Sequence, residues 1–101
     1  MNYTNEWERM ITGKLYNPAN KDIDVLHTRG MRRCDRFNRI ALWRKKAKQN
    51  ALEALIPSAK GNNLSVFAPF YCEYGVNIHV GKDCFVNYSC TFLDVCPITL
   101  G

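Results

Sequence analysis

A six-residue period runs through the last third of the chain. Ala68, Tyr74, Val80, Val86, Phe92 and Ile98 recur at one phase, and Cys72, Ile78, Cys84, Cys90 and Cys96 follow the first five at a second phase, four residues on. A period of six is unusual for an antiparallel sheet, where apolar positions alternate strictly. A left-handed parallel β-helix needs it, because each hexapeptide supplies one short flat strand and one corner, with a large side chain at one inward position and a small one at the other. Gly75, Gly81 and Asn87 stand just after the large position, where a corner uses backbone freedom or a left-handed conformation.

Before Asn63 the pattern is helical. Residues 6–11 form a short helical stretch that should stop near Gly13, and residues 16–20 read as a turn, because Pro18 disfavours helix at Asn17 and Asn readily caps. Over residues 22–40, Ile23, Leu26, Gly30, Cys34 and Phe37 recur at spacings of three and four and so share one face. Arg29, Arg32, Arg33, Arg36 and Arg39 fall mostly on the other. A third helix is predicted over residues 42–56, with Trp43, Ala47, Ala51, Ala54 and Leu55 as its apolar side and Pro57 and Gly61 closing it. The expected class is therefore α+β: a helical cap over residues 1–62 and the first coils of a β-helix over residues 63–101. Charge divides at the same place. Residues 1–62 hold 13 Lys and Arg against six acids, a net +7, whereas residues 63–101 set Lys82 against Glu73, Asp83 and Asp94, a net −2. At 101 residues there is room for one small core and not for two.

No run approaches the ~18 apolar residues of a membrane span, and the N-terminus lacks the basic-then-apolar pattern of a signal peptide, so the chain reads as cytoplasmic. The five cysteines are an odd number, and no two of them have the two-residue spacing of a zinc knuckle. A disulfide framework and a structural zinc site are therefore both disfavoured. Four of the five fall on the small inward phase, where free Cys serves as a small hydrophobe, and Cys34 lies on the apolar face of the second helix. All five are expected to be reduced, with no catalytic role and no metal.

Four segments carry a resemblance: Met10-Ile11-Thr12-Gly13-Lys14-Leu15-Tyr16, Arg36-Phe37-Asn38, residues 69–81 with Glu73-Tyr74-Gly75 and Asn77-Ile78-His79-Val80-Gly81, and residues 87–98 with Leu93-Asp94-Val95. Together they resemble the maltose and galactoside O-acetyltransferases, over essentially the whole chain. The resemblance implies a helical cap before a left-handed β-helix, assembly as a homotrimer, no membrane association, and transfer of acetyl from acetyl-CoA to a hydroxyl of a sugar of the maltose, glucose or galactoside type. It also implies that the catalytic base, a His in a Thr-His-Pro segment, belongs one coil beyond Gly101. Later coils would hold most of the acetyl-CoA. Neither His27 nor His79 matches that base, and both read as structural or solvent-facing. The chain as given is thus expected to contain no catalytic residue and to be inactive alone.

What the resemblance leaves within these residues is the acceptor side. It implies that Asn87 sits near the acetyl-transfer site, that Asp94 faces the acceptor sugar, that Glu73 stands beside it next to Tyr74 and Gly75, and that Tyr16 with the polar turn 17–22 borders the pocket. Phe85 offers a ring to stack on a sugar. Carboxylates accept hydrogen bonds from vicinal hydroxyls, which suits Glu73 and Asp94 to this work. Each residue also has a plain structural alternative: Asn87 as a left-handed corner, Asp94 as a corner residue bonded to backbone amides, Glu73 as an outward surface charge. Two other functions compete with the enzyme reading. One is a non-catalytic remnant or trimer-forming fragment. The other is nucleic-acid binding through the Arg-rich second helix and Arg44, Lys45 and Lys46, although no known nucleic-acid module is present.

Overall fold

Helix α1 (Asn5–Ile11), α2 (Lys21–Arg39), α3 (Lys45–Leu55) and a 3-10 turn (Pro57–Ala59) precede six short strands. These are β1 (Ser65–Val66), β2 (Phe70–Cys72), β3 (Ile78–Val80), β4 (Phe85–Val86), β5 (Cys90–Phe92) and β6 (Ile98–Leu100). The structure is a computed structural model and describes residues 5–101; residues 1–4, on which the signal-peptide reading partly rests, lie outside the described residues. Among the described residues no helix is long and apolar enough to cross a membrane.

The strands pair in parallel as β1–β4, β2–β5 and β3–β6, with Ser65 opposite Phe85, Phe70 opposite Cys90 and Ile78 opposite Ile98. Each pairing joins residues twenty apart, so the chain makes two coils around a three-sided prism. Three hexapeptides would give eighteen. The inward pairs are Leu64 and Val66, Phe70 and Cys72, then Ile78 and Val80, so the steps around the coil run six and then eight. The extra two residues sit in the corner 73–77 and recur in the corner 93–97. Tyr74 and Cys96, which obey the six-residue phase in the sequence, therefore leave the prism. Tyr74 is buried against Trp7, Met10, Ile23 and Leu26 of the cap, whereas Cys96 is exposed, its thiol 3.2 Å from the Met10 carbonyl. Cys96 is not a core filler. Cys72 is buried in the prism, and Cys84 and Cys90 pack half-buried against its core.

The corner conformations also differ from expectation. Gly75 does have a positive φ of 81°, but Gly81 and Asn87 do not; Asn63, Asp83 and Ser89 adopt φ of 53°, 58° and 59° instead. Asn63 and Asp83 are themselves twenty apart, and Asn and Asp tolerate the left-handed region because their short side chains bond locally. Here Asn63 Nδ2 donates to Asp83 Oδ1 at 2.9 Å.

The cap is pinned onto the first coil through close approaches and side-chain bonds to backbone. A Cβ on Gly30 of α2 would lie 2.1 Å from the Glu73 carbonyl oxygen, and one on Gly75 would lie 2.0 Å from that of Leu55 in α3, so both helices reach the corner 73–77 only because glycine stands at each contact. Asn38 donates to the Phe70 carbonyl and accepts from the Phe70 N–H, both at 2.9 Å, and Ser58 Oγ donates to the Ile78 carbonyl and accepts from the Val80 N–H. Helix α2 buries Ile23, Leu26, Gly30, Cys34 and Phe37, the face that its spacing predicts, and Asn20 caps it by accepting from the Asp22 and Ile23 amides.

Helix α3 begins at Lys45, later than the predicted residue 42. The Arg44 amide donates to the Ala41 carbonyl in a tight turn first, and this leaves Leu42 and Trp43 in solvent, with Trp43 82% exposed. Ala54 is exposed too, and the inward face is Lys48, Ala51, Leu52 and Leu55. Lys48 is buried because its ammonium donates to the Phe37 and Ile40 carbonyls at 2.9 and 2.8 Å, satisfying groups that the C-terminus of α2 leaves open, while it lies 4.6 Å from the Phe37 ring centroid. Burial holds its pKa below the ordinary lysine value.

Candidate acceptor cleft

Helix α2 crosses the β2–β5 face at Gly30 and Cys34, and an open cleft of about 570 Å³ lies between the helix and the sheet. Its walls come from alternation on each element. Tyr71 is the outward residue of β2 and Leu93 follows β5, and they are 52% and 67% exposed. From α2, His27, Met31 and Arg32 form the facing wall, with Asp35 at its end. The cleft is thus apolar along its sides and charged at its edges.

Glu73 lines this cleft. Its Oε2 is shielded from solvent and has no hydrogen-bond partner among the described residues. A carboxylate in the lining of an open cleft belongs to the chemical class that accepts from a ligand hydroxyl or amine. The backbone under it is held by Asp94, which is completely buried. Asp94 Oδ1 accepts from the Glu73 and Tyr74 amides at 3.0 and 2.9 Å, its Oδ2 accepts from the Gly75 amide at 2.7 Å, and its own carbonyl accepts from Asn77 Nδ2 at 2.7 Å. Both oxygens are spent on backbone, and Asp94 does not line the cleft. The acceptor-facing expectation for Asp94 is corrected accordingly: its geometry is that of the corner residue, and its influence on the cleft runs through Glu73.

Beside Glu73, Tyr74 turns its ring into the cap, edge-on to Trp7 at 5.0 Å and to His27 at 5.6 Å between centroids, with its hydroxyl 3.5 Å from Met10 Sδ. Burial, and after it the neighbouring Glu73 charge, pushes its phenol up to about 12. Tyr16 packs half-buried on the same cap cluster and is not a cleft-lining residue. In the turn that follows it, the Asn17 amide donates to the Glu6 carboxylate.

Phe85 and Asn87 lie on and just after β4, on a different face of the prism. Phe85 is 56% exposed and stands edge-on to Phe67 at 5.1 Å; Phe67 in turn lies 4.8 Å from the Tyr88 ring. Asn87 is exposed, and its Oδ1 accepts from the Tyr88 amide at 2.8 Å, so neither a positive φ nor a buried role explains it. Of the five residues expected at the site, the structure brings Glu73 into the cleft with Asp94 beneath it, keeps Tyr16 in the cap, and puts Phe85 and Asn87 elsewhere. His79 is outward and exposed on β3. Sequence reasoning missed His27, Arg32 and Tyr71 as cleft residues. Tyr71 was readable from strand alternation, but the two helix residues enter only because α2 crosses the sheet at Gly30.

The outer face of α2 forms a second feature, a shallow surface carrying Arg29, Arg32, Arg33 and Arg36 with Asp24 at one end. Arg33 Nη1 donates to the Ala54 carbonyl at 3.0 Å, and partial burial together with the nearby Arg29 charge lowers its pKa. Arg39 pairs with Asp35 at 3.1 Å.

Comparison with known proteins places these features. Residues 9–60 match the profile of the maltose acetyltransferase hexapeptide capping motif. Nodulation protein L of Rhizobium leguminosarum bv. viciae is 33% identical over 93% of this chain and 49% of its own length. Among solved structures, a maltose O-acetyltransferase from Clostridium difficile 630 superposes with a TM-score of 0.90 at 32% identity, over 99% of this chain and 53% of that one. A hexapeptide-repeat acetyltransferase from Vibrio cholerae O1 biovar eltor, solved with acetyl coenzyme A, shares the fold with a TM-score of 0.76 at 24% identity, over 97% and 52%. The chain spans about half the length of the curated relatives it matches.

Proposed function

The chain belongs to the family defined by the maltose acetyltransferase hexapeptide capping motif, and on that premise we propose that it forms the acceptor-side part of an enzyme moving acetyl from acetyl-CoA to a sugar hydroxyl. The observation that carries this reading is the cleft over β2 and β5, where Glu73 lines the sheet wall beside Tyr71 and Leu93, with His27, Arg32 and Asp35 on the α2 side. A saccharide of the maltose, glucose or galactoside type presents both matching surfaces. Its C–H face packs on Tyr71 and Leu93, and its vicinal hydroxyls donate to Glu73. His27 and Arg32 supply donors from the opposite wall.

The acetyl donor would be held by later coils of the kind the longer relatives possess, and the chemistry needs a general base to take the hydroxyl proton. Within these residues the work is therefore to bind and orient the acceptor, and Asp94 serves it by fixing the Glu73 backbone.

A chimera tests the proposal: these 101 residues replacing the superposed part of the Clostridium difficile maltose O-acetyltransferase. It should release thiol from acetyl-CoA in a sugar-dependent manner, and Glu73→Ala should raise the acceptor KM about tenfold or more with a smaller effect on kcat, the loss expected of one charge-assisted hydrogen bond. The 101-residue chain alone should give no acetylation above background. A chimera that assembles and binds acetyl-CoA yet shows no sugar-dependent release would refute the assignment. The nucleic-acid reading rests on the guanidinium row of α2, and steeply salt-dependent retention on DNA by that inactive chimera would favour it.

A further inference from the structure

Cys34 of α2 and Cys72 of β2 meet where the helix crosses the sheet. Their sulfurs are 3.6 Å apart, both residues are buried, and both belong to the wall of the cleft. The contact is held from both sides. The Asn38 clamp on Phe70 and the close approach of Gly30 to Glu73 fix the two backbones on either side of it. The thiols also differ in kind. Cys34 Sγ accepts the Cys72 backbone N–H at 3.3 Å, either sulfur can donate in the thiol–thiol contact, and a protonated Cys34 can also donate to the Cys72 carbonyl at 3.6 Å; with Cys34 ionised, the Cys72 N–H and thiol are both its donors. Those donors stabilise negative charge on Cys34 and hold its pKa below the ordinary thiol value despite burial, while the same thiol contact and burial push Cys72 up. Cys84 and Cys96 direct their thiols to backbone carbonyls.

We propose that Cys34 and Cys72 are a redox modification site, converted to an intramolecular disulfide by a two-electron oxidant of the peroxide class. The Cys34 thiolate attacks a peroxide oxygen and the O–O bond breaks. Cys34 becomes a sulfenic acid, and the departing hydroxide takes a proton to leave as water. Cys72 sulfur then displaces the sulfenic hydroxyl, which leaves with the Cys72 proton as a second water, and the S–S bond forms. Two thiols are oxidised and one peroxide is reduced to two waters. The geometric change is small, since the 3.6 Å contact closes to a bond of about 2.05 Å. The bridge would tie α2 to β2 at the wall of the cleft and fix its width. The proposal stands apart from the acetyl-transfer reading.

The experiment treats the folded 101-residue chain with hydrogen peroxide, counts thiols, and maps tryptic peptides. Cleavage after Arg33, Arg36, Lys60 and Lys82 separates Cys34 in residues 34–36 from Cys72 in residues 61–82, with the other three cysteines in residues 83–101. The expected result is a loss of two thiols, a chain about 2 Da lighter, a covalent link between the first two peptides, and reversal by a dithiol reductant. Cys34→Ser should slow the first thiol loss about tenfold or more, because it removes the attacking thiolate. Cys72→Ser should leave the attack intact and allow the sulfenic acid on Cys34 to be trapped with dimedone. A chain denatured in guanidinium should show no preference for this link. Links confined to residues 83–101, intermolecular dimers only, retention of all five thiols, or the same pattern in the denatured chain would each overturn the proposal.

Discussion

The two long corners of the prism, residues 73–77 and 93–97, occupy equivalent positions twenty residues apart, and they have opposite surroundings. In the first, Tyr74, Gly75 and Asn77 are buried under the helical cap; in the second, Leu93, Cys96 and Pro97 are exposed and only Asp94 is buried. The same backbone excursion therefore accepts quite different side chains, because what covers a corner is decided by the neighbouring element and not by the repeat. The two are also coupled. Asp94 from the exposed corner passes its carboxylate beneath the buried one and collects three of its amides. The exposed corner thus supplies the anchor, and the buried corner presents Glu73 to the cleft.

The largest effect should come from cutting that coupling. Asp94→Ala strands three N–H groups, those of Tyr74 and Gly75 buried and that of Glu73 part-buried, each costing ~1–3 kcal/mol when left unpaired out of reach of water. The sum approaches the whole stability of a small domain, so the cooperative thermal transition should disappear. A variant that still melts within a few degrees of the parent would show that the corner holds itself. Next comes Gly75→Ala, where the cap rather than the coil is challenged. The new Cβ would meet the Leu55 carbonyl at 2.0 Å in a residue with φ of 81°, and overpacking together with backbone strain should cost ~3 kcal/mol or more in denaturant titrations.

A third effect is confined to alkaline solution. Tyr74 has a folded-state pKa of about 12 against an ordinary value of 10.0. Between those limits the unfolded chain has released a proton that the folded chain retains, so stability is intact below the lower value and falls as pH rises toward the upper one. Tyr74→Phe should flatten that part of the slope while costing ~1 kcal/mol or less at neutral pH through loss of the bond to Met10. Denaturant midpoints measured across this range for both proteins decide it.

The same contrast explains what was legible in the sequence. The six-residue period identified the strand residues and their parallel pairing, because prism packing repeats locally. It hid the longer corners, because Tyr74 and Cys96 happen to be apolar and in phase while being bound elsewhere. Helix α2 was readable from its own spacing and its Asn20 cap. The start of α3 was not, since Lys48 goes inward only to meet carbonyls at the end of another helix. Glu73 was singled out from the sequence and lines the cleft, whereas the bond pattern of Asp94 and the entry of His27 and Arg32 depend on the crossing at Gly30, a tertiary event with no local signal.

The smallest effect belongs to the exposed corner and serves as the control for the others. Leu93 stands twenty residues after Glu73 and lines the same cleft, yet it is 67% exposed. Surface substitutions with no buried contact usually change stability by ~0.5 kcal/mol or less, so Leu93→Ser should leave the melting transition of the chain unmoved. Its cost should appear at the cleft, where removing one apolar contact of a bound sugar weakens binding by ~1 kcal/mol and raises the acceptor KM of the chimera several-fold, with kcat retained. If instead Leu93→Ser lowered stability as Gly75→Ala does, the two corners would share one packing environment after all. If it left both stability and KM unchanged, the sugar would have to lie deeper toward α2, against Met31 and His27, than the apolar side of the sheet.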